Sequence, residues 1–501
     1  MVPDRWPLRR PALLALATTL CAGCASAPAY RAPQTPTAAA AAFVAAADAP
    51  VVTQPLPDAW WRLYRDPALD ALIAQALEQN RDLAVAQAHL LHADALADSA
   101  DAARLPDTQL AFGGNEGEQT ADQTVAAARR DATRTRWAWT PSFAVSYEVD
   151  LWGRVRHLVD AAHADADAMQ AATDAVRVAV VAATTGSYAQ ACSYGERIDV
   201  AQQSLAIAQH LADLTTKQRD RGLVADLEVA RAQGFVETAR AAIPGLEGKR
   251  RAVLAELAVL TGRLPSDVPE AAARCRVTPV LTQAFPVGDG AALLRRRPDL
   301  REAERQLAAA TARVGVATAA LYPSIVLGGS VDLVSTSGSL ASLGDRYAMS
   351  WGIGPLISWR FPNLSVSRAT LAQAKADNRA ALASFDGRVL TALKETEQSL
   401  SFYGTQWTRH RALQAALDQD SRALHLAQLN YEAGALDFLD VLDAQRTLIA
   451  ARASLAESTA ALAADQIAVF KALGGGWQTG ANPSAADAPS SSSVTLSSVQ
   501  P

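Results

Sequence analysis

The residues of this 501-residue chain that could do chemistry are few, and most are acids. Asp437, Asp440 and Asp443 recur at every third position, which puts them on one face of a helix, and Asp226 and Glu228 occupy the comparable place in an earlier stretch. On a single chain such carboxylates complement a helix N-terminus. Gathered around an axis by several chains, they become rings that attract cations and repel anions. Other chemistry is excluded by what is missing. The chain has no P-loop, HExxH or Gly-x-Ser-x-Gly, and the His89/His92 pair sits in Ala-rich helical sequence without a third ligand. We therefore expect no enzyme, cofactor or metal. A net charge of −5 with no basic-aromatic cluster excludes nucleic acid as a partner.

The cysteines speak to export. Arg5, Arg9 and Arg10, the short apolar run 13–20 and the small residues that follow read as a signal peptide over 1–23. The sequence Leu20-Cys21-Ala22-Gly23-Cys24 resembles a bacterial lipoprotein box, although Cys21 takes the place usual for leucine. It favours Cys24 as the acylated residue. Residues 24–59, rich in Ala, Pro and Thr, read as a lipidated tether. Cys192 and Cys275 remain in the mature chain, and an oxidising compartment leaves two readings: a disulfide, or two unrelated buried thiols.

Periodicity supplies the elements that carry these residues. A helical pattern runs over 69–105, strands over about 107–113 and 139–151, a very long helix to Arg221, and a return helix from Gly222 to Gly262. After a Pro-rich linker, 265–290, the order repeats: helix, strands over about 324–334 and 349–361, a long helix to Tyr431, a turn at Gly434 and a return helix. Asp82, Leu83, Ala86, Leu90, Ala93 and Pro106 meet Asp299, Leu300, Ala303, Leu307, Ala310 and Pro323 at one offset of 217. Gly222, Leu227, Val229, Ala232, Gln233 and Gly262 meet Gly434, Leu439, Val441, Ala444, Gln445 and Gly474 at 212. The chain is thus a duplication, with units at 60–264 and 291–477 and a disordered tail over 478–501. Val441, Leu448, Leu455, Leu462 and Val469 form a seven-residue stripe, the signature of helices that supercoil. A helix of about 65 residues spans about 100 Å, too long to be buried in one globule.

The strands separate their faces sharply. Met349, Trp351, Ile353, Ile357, Trp359 and Phe361 are large and apolar, while Ser350, Gly352, Gly354 and Ser358 are small. Tryptophans 137, 139, 152, 351 and 359 cluster near strand ends. Lipid outside and water inside, with aromatic girdles at the interfaces, accounts for this pattern. Four strands cannot close a barrel, and lipid does not tolerate an open edge. Three chains would give twelve strands around an open lumen, whereas two would give about eight, a barrel that side chains can fill. The expected class is therefore mainly α with a membrane β-barrel: a trimer forming a 12-stranded barrel continued by an α-helical barrel. A lipid-anchored coiled-coil scaffold without a pore is the alternative, and lipid-facing tryptophans argue against it.

Several stretches carry a family resemblance. RRPDLREAERQLAAATARVGVATAALYPSI (296–325), DLWGR (150–154), YEAGALDFLDVLDAQRTL (431–448) and ALGGGW (472–477) resemble the TolC-like outer-membrane factors, in particular NodT-type lipoproteins of RND efflux systems. The resemblance covers about 60–477. It implies a homotrimer in the outer membrane, lipid-anchored and extending into the periplasm, where it meets an adaptor protein and an RND-type pump. It also implies that Tyr431 stands at the periplasmic constriction and that Asp440 and Asp443 form its aspartate ring. Leu436 takes the place of an arginine that locks some members closed, and Leu227 and Glu228 also depart from that pattern, so a hydrophobic constriction replaces part of the lock.

Overall fold

The computed structural model describes residues 30–33, 37–118, 127–130, 135–335 and 337–477. The leader 1–23, the expected lipidation site Cys24 and the tail 478–501 lie outside the described residues. In chain order come α1 (Pro67–Gln79), α2 (Arg81–Ala102), β1 (Asp107–Gly117), β2 (Arg136–Glu148), α3 (Arg154–Asp220) and α4 (Asp226–Leu260). There follow α5 (Pro298–Ala319), β3 (Ser324–Leu333), β4 (Met349–Ser358), α6 (Ser365–Glu432) and α7 (Phe438–Ala472). The long helices α3 and α6 have 67 and 68 residues, and the return helices α4 and α7 have 35 each.

Both long helices and both return helices stop in the same way. Gly222, Gly262, Gly434 and Gly474 have φ of +76°, +75°, +76° and +67°, the left-handed region open to glycine. At the first, the Gly222 N–H donates to the Arg219 carbonyl and the Leu223 N–H to the Gln218 carbonyl. Gly434 and Ala435 repeat this on Tyr431 and Asn430. This paired closure satisfies carbonyls that the helix end would otherwise orphan, and it explains why glycine recurs at the offset of 212.

Several boundaries differ from the expectation. The helix expected over 69–105 is two helices, because Asn80 leaves helical geometry (φ −64°, ψ 131°). Its side chain accepts from the Leu83 N–H at 3.1 Å and donates to the Leu260 carbonyl at 3.0 Å, so it caps α2 and ties it to α4. Strand β1 runs on to Gly117, and β2 begins at Arg136 and ends at Glu148 rather than Leu151. Asp150 ends β2 by turning to serve α3: its carboxylate accepts from the Val155 and Arg156 N–H groups at 3.1 and 2.8 Å. Strands β3 and β4 end one and three residues earlier than expected, at Leu333 and Ser358.

The chain divides into two compact units. One comprises Gln87–Ala172 and Asp299–Leu390 with the segment up to Gln34, and it contains a four-stranded antiparallel sheet in the order β1-β2-β3-β4. The other comprises Thr35–Ala86, Thr173–Pro298 and the chain from Thr391 on. Its core stacks Trp60 on Phe470 with ring centroids 4.5 Å apart, and Phe285 packs between Phe470 and Tyr403. The tether expected over 24–59 is docked along its second half. Val51–Val52 pairs in parallel with Phe285–Pro286, Phe43 is buried, and Glu397 accepts from the Val44 and Ala45 N–H groups at 2.8 and 2.9 Å. Cys192 and Cys275 are joined by a disulfide, with Cα atoms 4.7 Å apart. Arg250 reinforces that junction by donating to the carbonyls of Ala191, Ala273 and Cys275.

Candidate functional site

Two regions carry the chemistry expected from the sequence. The first is the sheet. Register places Leu110 opposite Phe143, Phe143 opposite Val331 and Val331 opposite Trp351, so one rung across all four strands is apolar. The next rung on the same face carries Val145, Gly329 and Ile353. These side chains have no protein over them: Leu110 is 81% exposed, Trp351 70% and Ile353 82%. The opposite face reads Gln109, Ala144, Ser330, Gly352 and then Ala111, Ser142, Asp332, Ser350. A contiguous apolar face of this extent needs lipid or protein against it, whereas the small polar face is suited to water.

Aromatic rings mark both ends of the sheet. At one end Trp137 stacks on Trp139 at 5.2 Å, and Trp139 on Phe112 at 5.9 Å. At the other, Trp152 stacks on Tyr322 at 4.7 Å and Trp359 on Phe361 at 4.6 Å. The Trp152 and Trp359 indoles donate to the carbonyls of Pro323 and Leu321 at 2.7 and 3.2 Å. Their orientation at the helix-to-strand junction is thereby fixed.

The second region is the pair of hairpin tips, where α3 turns into α4 at Gly222 and α6 into α7 at Gly434. Tyr431, in the last turn of α6, donates to Gln218 Oε1 at 3.1 Å and accepts from Gln218 Nε2 at 2.9 Å. It thus fastens the end of α6 to the end of α3, and its ring packs beside Leu211, Leu424, Val441 and Leu442. The sequence offered no sign of Gln218 as its partner, apart from standing four residues before the turn glycine.

The acids behave differently from one another. Asp440 accepts from the Asp437 N–H at 3.2 Å, so part of its role is to cap α7. The Asp443 side chain is exposed. Asp226 pairs with Arg219 at 3.2 Å. That hydrogen bond, and next the one to Asp220, raise Arg219 above the usual guanidinium value. Glu228 is half-buried, and its Oε2 has no hydrogen-bond partner. Leu436 is exposed, as are Leu223, Leu227 and Leu439. Among the described residues no group of His, Cys, Asp and Glu could hold a metal ion, and no helix is long and apolar enough to cross a membrane.

Comparison with known proteins agrees with this geometry. A family profile described as outer membrane efflux protein matches residues 72–263 and 291–475. Among curated relatives, Nodulation protein T of Rhizobium leguminosarum bv. trifolii is 31% identical, with 84% of this chain and 88% of the relative covered. Outer membrane protein OprJ of Pseudomonas aeruginosa is 30% identical over 94% of this chain and 98% of its own length. Among solved structures, the outer-membrane channel OprN superposes with a TM-score of 0.82 at 34% identity, covering 91% of this chain and all of OprN.

Proposed function

The chain belongs to the outer membrane efflux protein family, and from that premise we propose that it is the trimeric exit duct of a tripartite pump. It resides in the outer membrane and serves efflux. One observation carries the finer reading: a four-stranded sheet with an exposed apolar face, a small polar face and two unpaired edges, β1 and β4. Edge N–H and C=O groups cannot stay unpaired in hydrocarbon. Three chains joined β1 to β4 would close twelve strands, with Ser330, Ser350 and Asp332 toward the lumen.

In this reading the long helices continue the duct into the periplasm as a helical barrel, and the tips at Gly222 and Gly434 form its mouth. Threefold symmetry turns Asp440 and Asp443 into rings, with Asp226 and Glu228 beside them, and Leu436 supplies an apolar constriction. The Tyr431–Gln218 bond holds the mouth narrow. An adaptor protein and an RND-type inner-membrane pump dock at this end and determine what is exported. Cys24 carries the lipid anchor, whose marginal hold is supplemented by the barrel.

Planar bilayers test this directly. The purified full chain should be a trimer that conducts in discrete steps, and Tyr431→Phe should raise the open fraction by freeing the mouth. A monomer without conductance would instead favour the lipid-anchored scaffold.

A further inference from the structure

We infer that the junction where the sheet gives way to helices holds a phosphate-binding site, occupied by the headgroup of a glycerophospholipid. A cavity of about 330 Å³ opens there, lined by residues from the ends of β2 and β4 and the first turns of α3 and α6. Its charges are already matched, with one exception. Glu148 pairs with Arg154, and the Asp150 carboxylate is bonded to the Val155 and Arg156 N–H groups. Arg360 also lines the cavity and has no ion-pair or hydrogen-bond partner among the described residues.

The helix end facing Arg360 is open to an anion. Helix α6 has no acid in its first turn. Asn363 accepts only from the Ser365 N–H, at 3.2 Å, which leaves the Val366 and Ser367 N–H groups unbonded. An independent observation points to a ligand. Ser367 is only 7% exposed, yet its hydroxyl lines the cavity without a hydrogen-bond partner among the described residues. Buried hydroxyls are normally satisfied. One guanidinium, one hydroxyl and two N–H groups at a positive helix end form a donor set for phosphate oxygens. Trp152 and Trp359 line the same cavity, and tryptophans so placed lie at the level of lipid headgroups. The lipid source rests on the outer-membrane reading, whereas the donor set does not.

Native mass spectrometry of the full chain in phosphate-free detergent tests the inference, with phosphatidylglycerol, inorganic phosphate and phosphate-free diacylglycerol as probes. Wild type should retain phosphatidylglycerol, and Arg360→Gln and Ser367→Ala should each weaken retention about tenfold, as expected for a lost charge-assisted bond. Arg360→Lys should keep most of it. Competition by inorganic phosphate that both variants abolish would also support the site and identify a soluble occupant. Diacylglycerol binding as well as phosphatidylglycerol, or variants binding as well as wild type, would overturn it. Arg360 is exposed, so its replacement leaves folding intact; conductance of the same variants reports on the duct separately.

Discussion

The return helices α4 and α7 are two copies of one design, and they differ most where α4 is apolar and α7 is polar. At the offset of 212, buried Leu254 answers to Gln466 and buried Val253 to Asp465. Gln466 is fully buried, and its amide makes both bonds of a peptide: Oε1 accepts from the Leu281 N–H at 2.9 Å and Nε2 donates to the Leu281 carbonyl at 2.8 Å. Duplication thus kept what the backbone requires, the glycine at each helix end, and let side chains diverge where a new partner stood ready.

The largest effect should come from making α7 resemble α4. Gln466→Leu leaves the Leu281 N–H and C=O buried without partners, which costs about 2–4 kcal/mol on unfolding in denaturant. A neutral result would mean that the polar residue is drift rather than a clamp on the linker. Next come the features both copies share. Gly222→Val and Gly434→Val each force a β-branched residue to positive φ and should cost about 1–3 kcal/mol by the same measurement. Clearly unequal losses would show that the two tips are not equivalent turns.

What the sequence disclosed follows the same division. The turn glycines were legible because only glycine sits comfortably at φ near +76°, and both strand faces were legible because side chains alternate with a period of two. The cap at Asn80 was not, since a helical stripe runs straight through it and its partner Leu260 lies 180 residues away. Gln466, Gln218 and the docked strap around Phe43 were hidden for that reason. Periodicity names the buried face but never the atom across from it. The cysteine pair was half legible, because export permits a disulfide without proving that two helical segments meet.

A smaller effect should distinguish the tips in conduction. Asp440→Ala with Asp443→Ala removes two carboxylates with no cation bound to them among the described residues, and should lower the cation-to-anion permeability ratio about fivefold. Asp226→Ala should change it less, because Arg219 already offsets that charge. Equal effects from both tips would break the contrast between them. Since Asp440 also caps α7, its replacement carries a stability loss of about 1 kcal/mol that melting curves can subtract.

The smallest effect lies at Asp465, where α7 carries a carboxylate in place of buried Val253. Burial raises its pKa above the ordinary carboxylate value. A folded chain that holds this proton more tightly than the unfolded chain is favoured in acid. That advantage is complete below the unfolded pKa and disappears as pH rises through the folded one. Asp465→Asn removes the ionisation, so the variant should melt higher than wild type at neutral pH and converge with it in acid. Because the side chain is only half-buried, solvent screening keeps the gain below about 1 kcal/mol. A gap that widened in acid would mean that the carboxylate is stabilised by a partner, and that α7 had compensated this acid as fully as it did Gln466.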